Sequence, residues 1–208
     1  MTYVLYGARR SGSLVVECAL AEIGADYEVQ ELSLRDAEQR RAEYEAINPQ
    51  RKVPALFIDG GPVITESVAI LLTLDEHHPE AGLLPPKGSI RRAQSLRWLL
   101  FAATEIYPLV EINDYPERFA VDSDGTESIR ERARAIWRTR WLVVEENVGG
   151  DPYFSRDGFS VTDIYLAVVS RWAHQGEWRP AHLPKIERLA AAVAARPAIA
   201  SVWARHFG

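Results

Sequence analysis

The sequence predicts an α/β domain in its first third, ordered βαβ-α-ββα around one mixed four-stranded sheet, followed by an all-α helical domain. Three observations carry this. Strand-like and helix-like runs alternate up to residue 77, the run PEAGLLPPKG at 79–88 is proline-rich and has no hydrophobic period, and only helical patterns follow it. The composition has enough core-forming material for both parts, with 208 residues of which 47% are hydrophobic and 25% charged. The domains are expected at 1–78 and 89–208, with 79–88 as linker.

Thr2 to Tyr6 is a short apolar, β-branched run closed by Gly7, which reads as a buried strand. After Gly12-Ser13, the apolar residues of LVVECALAEI fall three to four apart and Gly24 supplies a stop, so a helix follows. Tyr27 to Leu32 is a second strand, and the charged stretch Arg35 to Ile47 a surface helix. Asn48-Pro49 through Val53-Pro54 is too proline-rich for a helix. Beyond it, strands at 55–58 and 63–65 flank Asp59-Gly60-Gly61-Pro62, the turn chemistry of an antiparallel hairpin. Thr65-Glu66-Ser67 then opens an apolar helix that stops before Pro79. In the second part, helical patterns cover Ser89 to about Val121, Glu127 to Val148, Val161 to about Gln175, Leu183 to Ala195 and Pro197 to His206. Ser160 and Asp163 have the spacing of a capping box.

Several function classes are excluded. The formal charge is −5, and the basic residues are interleaved with acids, so no stripe suits a nucleic acid backbone. No window approaches the ~18 apolar residues of a membrane span, and the N-terminus has no export-signal pattern. The single cysteine, Cys18, rules out an internal disulfide, a C-x-x-C pair and a multi-thiolate zinc site. His77 and His78 are adjacent, and His174, His182 and His206 lack the i, i+4 spacing of a helical ligand pair. A cytoplasmic protein without a metal is expected.

Three places can carry chemistry. Ser11-Gly12-Ser13 lies between the first strand and first helix, in the crevice where amide N–H groups and a positive helix end meet ligands in open α/β sheets. Either serine can cap the helix, which leaves the other to face a ligand. Lys52-Val53-Pro54 enters a strand through a proline; a trans bond suits a plain strand start, while a cis bond would turn the main chain of Val53 outward to pair with an extended peptide. At Thr65-Glu66-Ser67, Ser67 could hold a carboxylate and Glu66 an ammonium group, or both could be an ordinary helix start. The phosphate loops G-x-G-x-x-G and G-x-x-x-x-G-K-[ST] do not occur.

Taken together, the serine turn, Asn48-Pro49 with Lys52-Val53-Pro54-Ala55-Leu56, Thr65-Glu66-Ser67 and the Ser160-x-x-Asp163 box resemble the soluble glutathione S-transferases over essentially the whole chain, in a serine-type, bacterial-like form. The resemblance implies a thioredoxin-like first domain and glutathione as co-substrate. It gives thiol activation to Ser11, or alternatively Ser13, and glutathione binding to Lys52, Val53, Glu66 and Ser67. One of Arg40, Arg41 and Arg51 would meet the glycine carboxylate. Tyr6 and Cys18 read as packed residues. A hydrophobic electrophile would be the acceptor, with Tyr107 in its pocket beside the helix-bending Pro108, and the protein would be a cytoplasmic homodimer serving detoxification. Glutathione-dependent isomerisation or peroxide reduction, or a binding protein that has lost the chemistry, are the alternatives.

Overall fold

The computed structural model describes residues 1–172 and 176–208. Residues 1–85 and 193–208 form one compact unit and residues 86–192 another. The C-terminal stretch thus groups with the N-terminal sheet.

In the first unit β1 (Tyr3–Gly7) alternates buried and half-buried side chains, as the apolar run predicts. α1 (Ser13–Glu22) is buried from Ser13 to Leu20. It ends in paired bonds, Gly24 N–H to the Ala21 carbonyl and Ala25 N–H to the Leu20 carbonyl, with Gly24 at φ 66°. β2 (Tyr27–Glu31) runs parallel to β1. The expected surface helix over 35–47 is cut down to a 3₁₀ turn at Glu38–Arg40 and the single turn α2 (Ala42–Glu45). Ala37 at φ 54° and the extended Arg41 interrupt it, and Tyr44 is the sole buried side chain in the two short turns. Too little apolar surface faces inward to hold a longer helix. β3 (Ala55–Ile58) and β4 (Ile64–Thr65) form the expected hairpin, closed by the Gly61 N–H on the Ile58 carbonyl. The sheet order is β2-β1-β3-β4, with β3 antiparallel to both its neighbours. α3 (Ser67–His77) packs on α1 and stops before Pro79, after which the Asp75 carboxylate accepts the Leu84 N–H at 3.0 Å and ties the proline-rich run down.

In the second unit α4 (Ile90–Phe101) is capped by the Ser89 hydroxyl on the Arg92 N–H. The continuous helical pattern expected from 89 to about 121 is broken. A π turn at Ala102–Ile106 precedes α5 (Tyr107–Asp114), and a 3₁₀ turn follows at Pro116–Arg118. Pro108 brings no N–H for the Thr104 carbonyl and crowds it, and the widened turn takes up the mismatch. α6 (Thr126–Asn147) packs on α5 and buries Trp137 and Trp141. α7 (Val161–Val169) is buried throughout and packs on α4. Its helix ends at Val169 and not near Gln175; residues 173–175, including His174 and Gln175, lie outside the described residues. α8 (Trp178–His182) is a short addition before α9 (Pro184–Ala194). The last helix, α10 (Ala200–Phe207), starts three residues after Pro197, because the Arg196 carbonyl takes the N–H groups of both Ile199 and Ala200 in a turn. α10 belongs to the first unit and packs on α1. No helix among the described residues is long and apolar enough to cross a membrane.

Candidate functional site

One row across the sheet organises the site. Tyr6 of β1 pairs with Ala55 of β3, and Ala55 pairs with Thr65 of β4. β3 runs against its neighbours, so the end of β1, the start of β3 and the end of β4 coincide. The residues just beyond that row are the turn Gly7–Ser13, the segment Lys52–Pro54 and the pair Glu66–Ser67. With strands about 4.8 Å apart, three neighbouring strand ends span the length of a short extended peptide. The N-termini of α1 and α3 open at this same end, so its field is positive.

The two serines differ. Ser13 is 1% exposed, and its Oγ accepts the Ala8 N–H at 3.0 Å and lies 3.1 Å from the Ala8 carbonyl. It caps no helix; it fastens the end of β1. Gly7 has no side chain for a reason here, since a Cβ would stand 2.6 Å from Ser13 Oγ. Ser11 is half-buried, donates to the Ala8 carbonyl at 2.8 Å and accepts the Ser13 N–H at 3.3 Å. The two hydroxyls are 2.9 Å apart. Ser13 can satisfy Ala8 by itself, which leaves the Ser11 O–H able to turn toward a ligand. Arg10, next to it, holds φ 58° and is tied to His206: its N–H donates to Nδ1 at 3.0 Å and its Nε to the His206 carbonyl at 2.8 Å. Arg9 pairs with Glu31 at 3.2 Å.

The Val53-Pro54 bond is cis. Val53 is half-buried, and its N–H and C=O have no hydrogen-bond partner among the described residues. Just before it, the Lys52 carbonyl is held by the Tyr44 hydroxyl at 2.7 Å and the Asn48 amide at 2.8 Å. Burial pushes the Tyr44 phenol up to about 12, so it stays a donor. Asn48, itself buried, also accepts the Gln50 N–H. Lys52 keeps its side chain exposed. Glu66 sits at φ 63°, a conformation that L side chains seldom adopt, and its carboxylate accepts the Gln50 amide at 3.2 Å. Ser67 is the first residue of α3 and is buried.

Ser11, Val53, Glu66 and Ser67 therefore gather at one end of the sheet, with Lys52 adjoining. Tyr107 belongs to the other unit, where it heads α5 and its ring lies 4.8 Å from that of Trp172. Arg41 and Arg51 are paired with Glu38 and Glu45, whereas Arg40 has no ion pair among the described residues. Cys18 is buried, and desolvation, with Glu22 near it, pushes the thiol far above its ordinary range, which fits an inert core residue. No group of three or more His, Cys, Asp or Glu side chains capable of holding a metal occurs among the described residues. No sequence motif singles out the Tyr44–Asn48 clamp or the buried His206. For Glu17 the signal was present, a lone acid inside the apolar run LVVECALA.

A mixed sheet of this order, with a cis-proline and two helix starts at one end, makes the first unit a thioredoxin-like domain, and a helical unit follows it. Residues 1–76 match the glutathione S-transferase N-terminal domain family. Across 74% of this chain and 71% of its own, glutathione S-transferase Z1 of Arabidopsis thaliana is 46% identical. Maleylacetoacetate isomerase of Pseudomonas aeruginosa is 30% identical over 91% of this chain and 90% of its own. A glutathione transferase homologue from Sulfitobacter, solved with bound glutathione, superposes with a TM-score of 0.91 at 26% identity over 98% of both chains. The chain belongs to the glutathione S-transferase family.

Proposed function

We propose that this protein is a glutathione transferase that activates the glutathione thiol for attack on a hydrophobic electrophilic small molecule. The observation that carries the reading is the Tyr6–Ala55–Thr65 row, beyond which a hydroxyl, the Val53 main chain and an acid-serine helix start emerge side by side. Val53 offers one N–H and one C=O to the cysteinyl backbone of the tripeptide. Glu66 receives the ammonium of the γ-glutamyl end, Ser67 and the α3 terminus its carboxylate, and Lys52 adds charge.

A free thiol has a pKa near 8.5, so little of it is thiolate at neutral pH. A hydrogen bond donated by Ser11, whose oxygen is itself polarised by the Ser13 N–H, favours the sulfur anion over the thiol, as does the positive end of α1. Lowering the thiol pKa by two units takes about 2.7 kcal/mol, which one charge-assisted hydrogen bond and a helix end can supply. The thiol proton leaves to solvent. The sulfur lone pair then forms the bond to the electrophilic carbon as the leaving group departs with its electron pair. Ser11 keeps its own proton throughout.

Tyr107 is the proposed aromatic contact for the acceptor. A cytoplasmic homodimer completes the reading; the lone buried Cys18 suits a reducing compartment, and sizing with light scattering tests the dimer. Similarity to maleylacetoacetate isomerase favours a second reading in which the same thiolate adds to a double bond and is released again. Retention on glutathione-agarose followed by titration of thiolate absorbance tests the shared step. We expect retention, loss of it in Glu66→Ala and Ser67→Ala, and a bound thiol pKa below 7; a protein that passes through unretained refutes the proposal. Glutathione is consumed in the first reading and recovered in the second.

A further inference from the structure

We infer that His206 is a positioning residue for thiol activation: seated against the buried Glu17, its ring grips the Arg10 N–H and so holds the turn that presents Ser11. The inference rests on the function proposed above.

The hydrogen bonds fix the state of the ring. A main-chain N–H can only donate, so Nδ1, 3.0 Å from the Arg10 nitrogen, must carry a lone pair. The ring proton is then on Nε2, which donates to Glu17 Oε2 at 3.0 Å. Both partners are buried, His206 at 5% exposure and Glu17 at 1%. The other Glu17 oxygen meets Arg205. A continuous path therefore runs from the acid on α1 through the imidazole on α10 to the residue before Ser11, and the Arg10 side chain closes it by donating to the His206 carbonyl.

This arrangement is more specific than packing requires. An apolar side chain would fill the space between α1 and α10 without desolvating an acid and an imidazole. What the polar pair adds is direction, an acceptor aimed at one N–H. That N–H belongs to a residue at φ 58°, a conformation held only when its surroundings impose it. The charged groups facing the ring are Glu17 from α1, Arg205 from α10, Arg9 and Arg10 from the turn and Glu31 from β2. Burial first, and then Arg205, push the imidazole down to about 4, so the acceptor persists at neutral pH.

Three variants separate positioning from mere packing. His206→Phe keeps the volume and loses both hydrogen bonds. His206→Asn sets an oxygen where Nδ1 stands, and His206→Gln keeps a donor toward Glu17 but no acceptor toward Arg10. In the free protein, hydrogen exchange at the Arg10 amide should accelerate at least about tenfold in the Phe and Gln variants and stay near wild type in the Asn variant. With glutathione and a nitro-activated aryl chloride, the Phe and Gln variants should raise the bound thiol pKa by about one unit and lower kcat about tenfold, with KM for glutathione within about threefold. The Asn variant should recover most of kcat. A folded Phe or Gln variant with a protected Arg10 amide and an unchanged thiol pKa overturns the inference, as does an Asn variant as impaired as the Phe variant. If the Phe variant does not fold, the Gln and Asn pair decides alone. If wild type neither binds glutathione nor lowers its thiol pKa, the proposed function fails, and the exchange measurement, made without glutathione, still decides whether His206 holds the turn.

Discussion

Ser11 and Ser13 share the carbonyl of Ala8, and their surroundings assign them different work. Replacing Ser13 by Ala would leave the buried Ala8 N–H without its acceptor, a stability loss of about 1–3 kcal/mol. In the proposed mechanism, replacing Ser11 removes a donor that matters most once the sulfur is charged. We expect Ser11→Ala to lower kcat by about ten- to a hundredfold, with KM for glutathione moving less than about threefold. Steady-state kinetics beside a melting curve checks both: Ser13→Ala should lose its melting temperature, and Ser11→Ala should keep it. The sequence named both serines and left the choice between them open, since spacing does not say which hydroxyl lies under the chain and which at its surface. As candidates, Val53, Glu66 and Ser67 stood out in the sequence because proline and helix-start chemistry are local. His206 was not, since its partners come from the other end of the chain.

At the scale of elements, boundaries followed punctuation. Gly24 ended α1 and Gly60 helped turn the hairpin, as composition predicted. Where few apolar residues were present, the prediction overreached: 35–47 had Ala42, Tyr44 and Ile47 to pack and kept one turn of α-helix. The helix expected across Pro108 yielded to a π turn for the same kind of reason, a local defect stronger than the hydrophobic period around it. The capping box of α7 was fully readable. Asp163 accepts the Ser160 N–H at 2.7 Å and the Phe154 N–H at 2.6 Å. The β1–α1 junction makes a sharper demand. Gly7→Ala would drive a methyl into Ser13, and we expect a loss of about 1–3 kcal/mol in urea unfolding together with lower kcat. Unaltered unfolding would show that the turn yields more readily than its contacts indicate.

Across the whole molecule, two buried groups give the two units opposite responses to acid. The His206 pKa is lowered from 6.5 to about 4 in the fold, so its contribution to the stability of the first unit is full above about 6.5 and is lost as pH drops toward 4. Asp163 is the reverse. Burial raises it to about 6, hydrogen bonds opposing, so the second unit is favoured by protonation and loses that contribution as pH rises through about 6. Between pH 7 and 5, after correction for intrinsic exchange rates, amide exchange should accelerate in α10 and the β1–α1 turn and slow in α7. A uniform response along the chain would contradict this assignment. The same measurement on His206→Asn should flatten the first slope.

The bond from Arg10 to His206 joins residues 196 positions apart. Contacts of that separation close late, because most of the polymer must first be made and brought to heel. During translation the sheet and the Ser11 turn can assemble while α10 is still inside the ribosome, and the enzyme would reach full activity only once α10 emerges and docks.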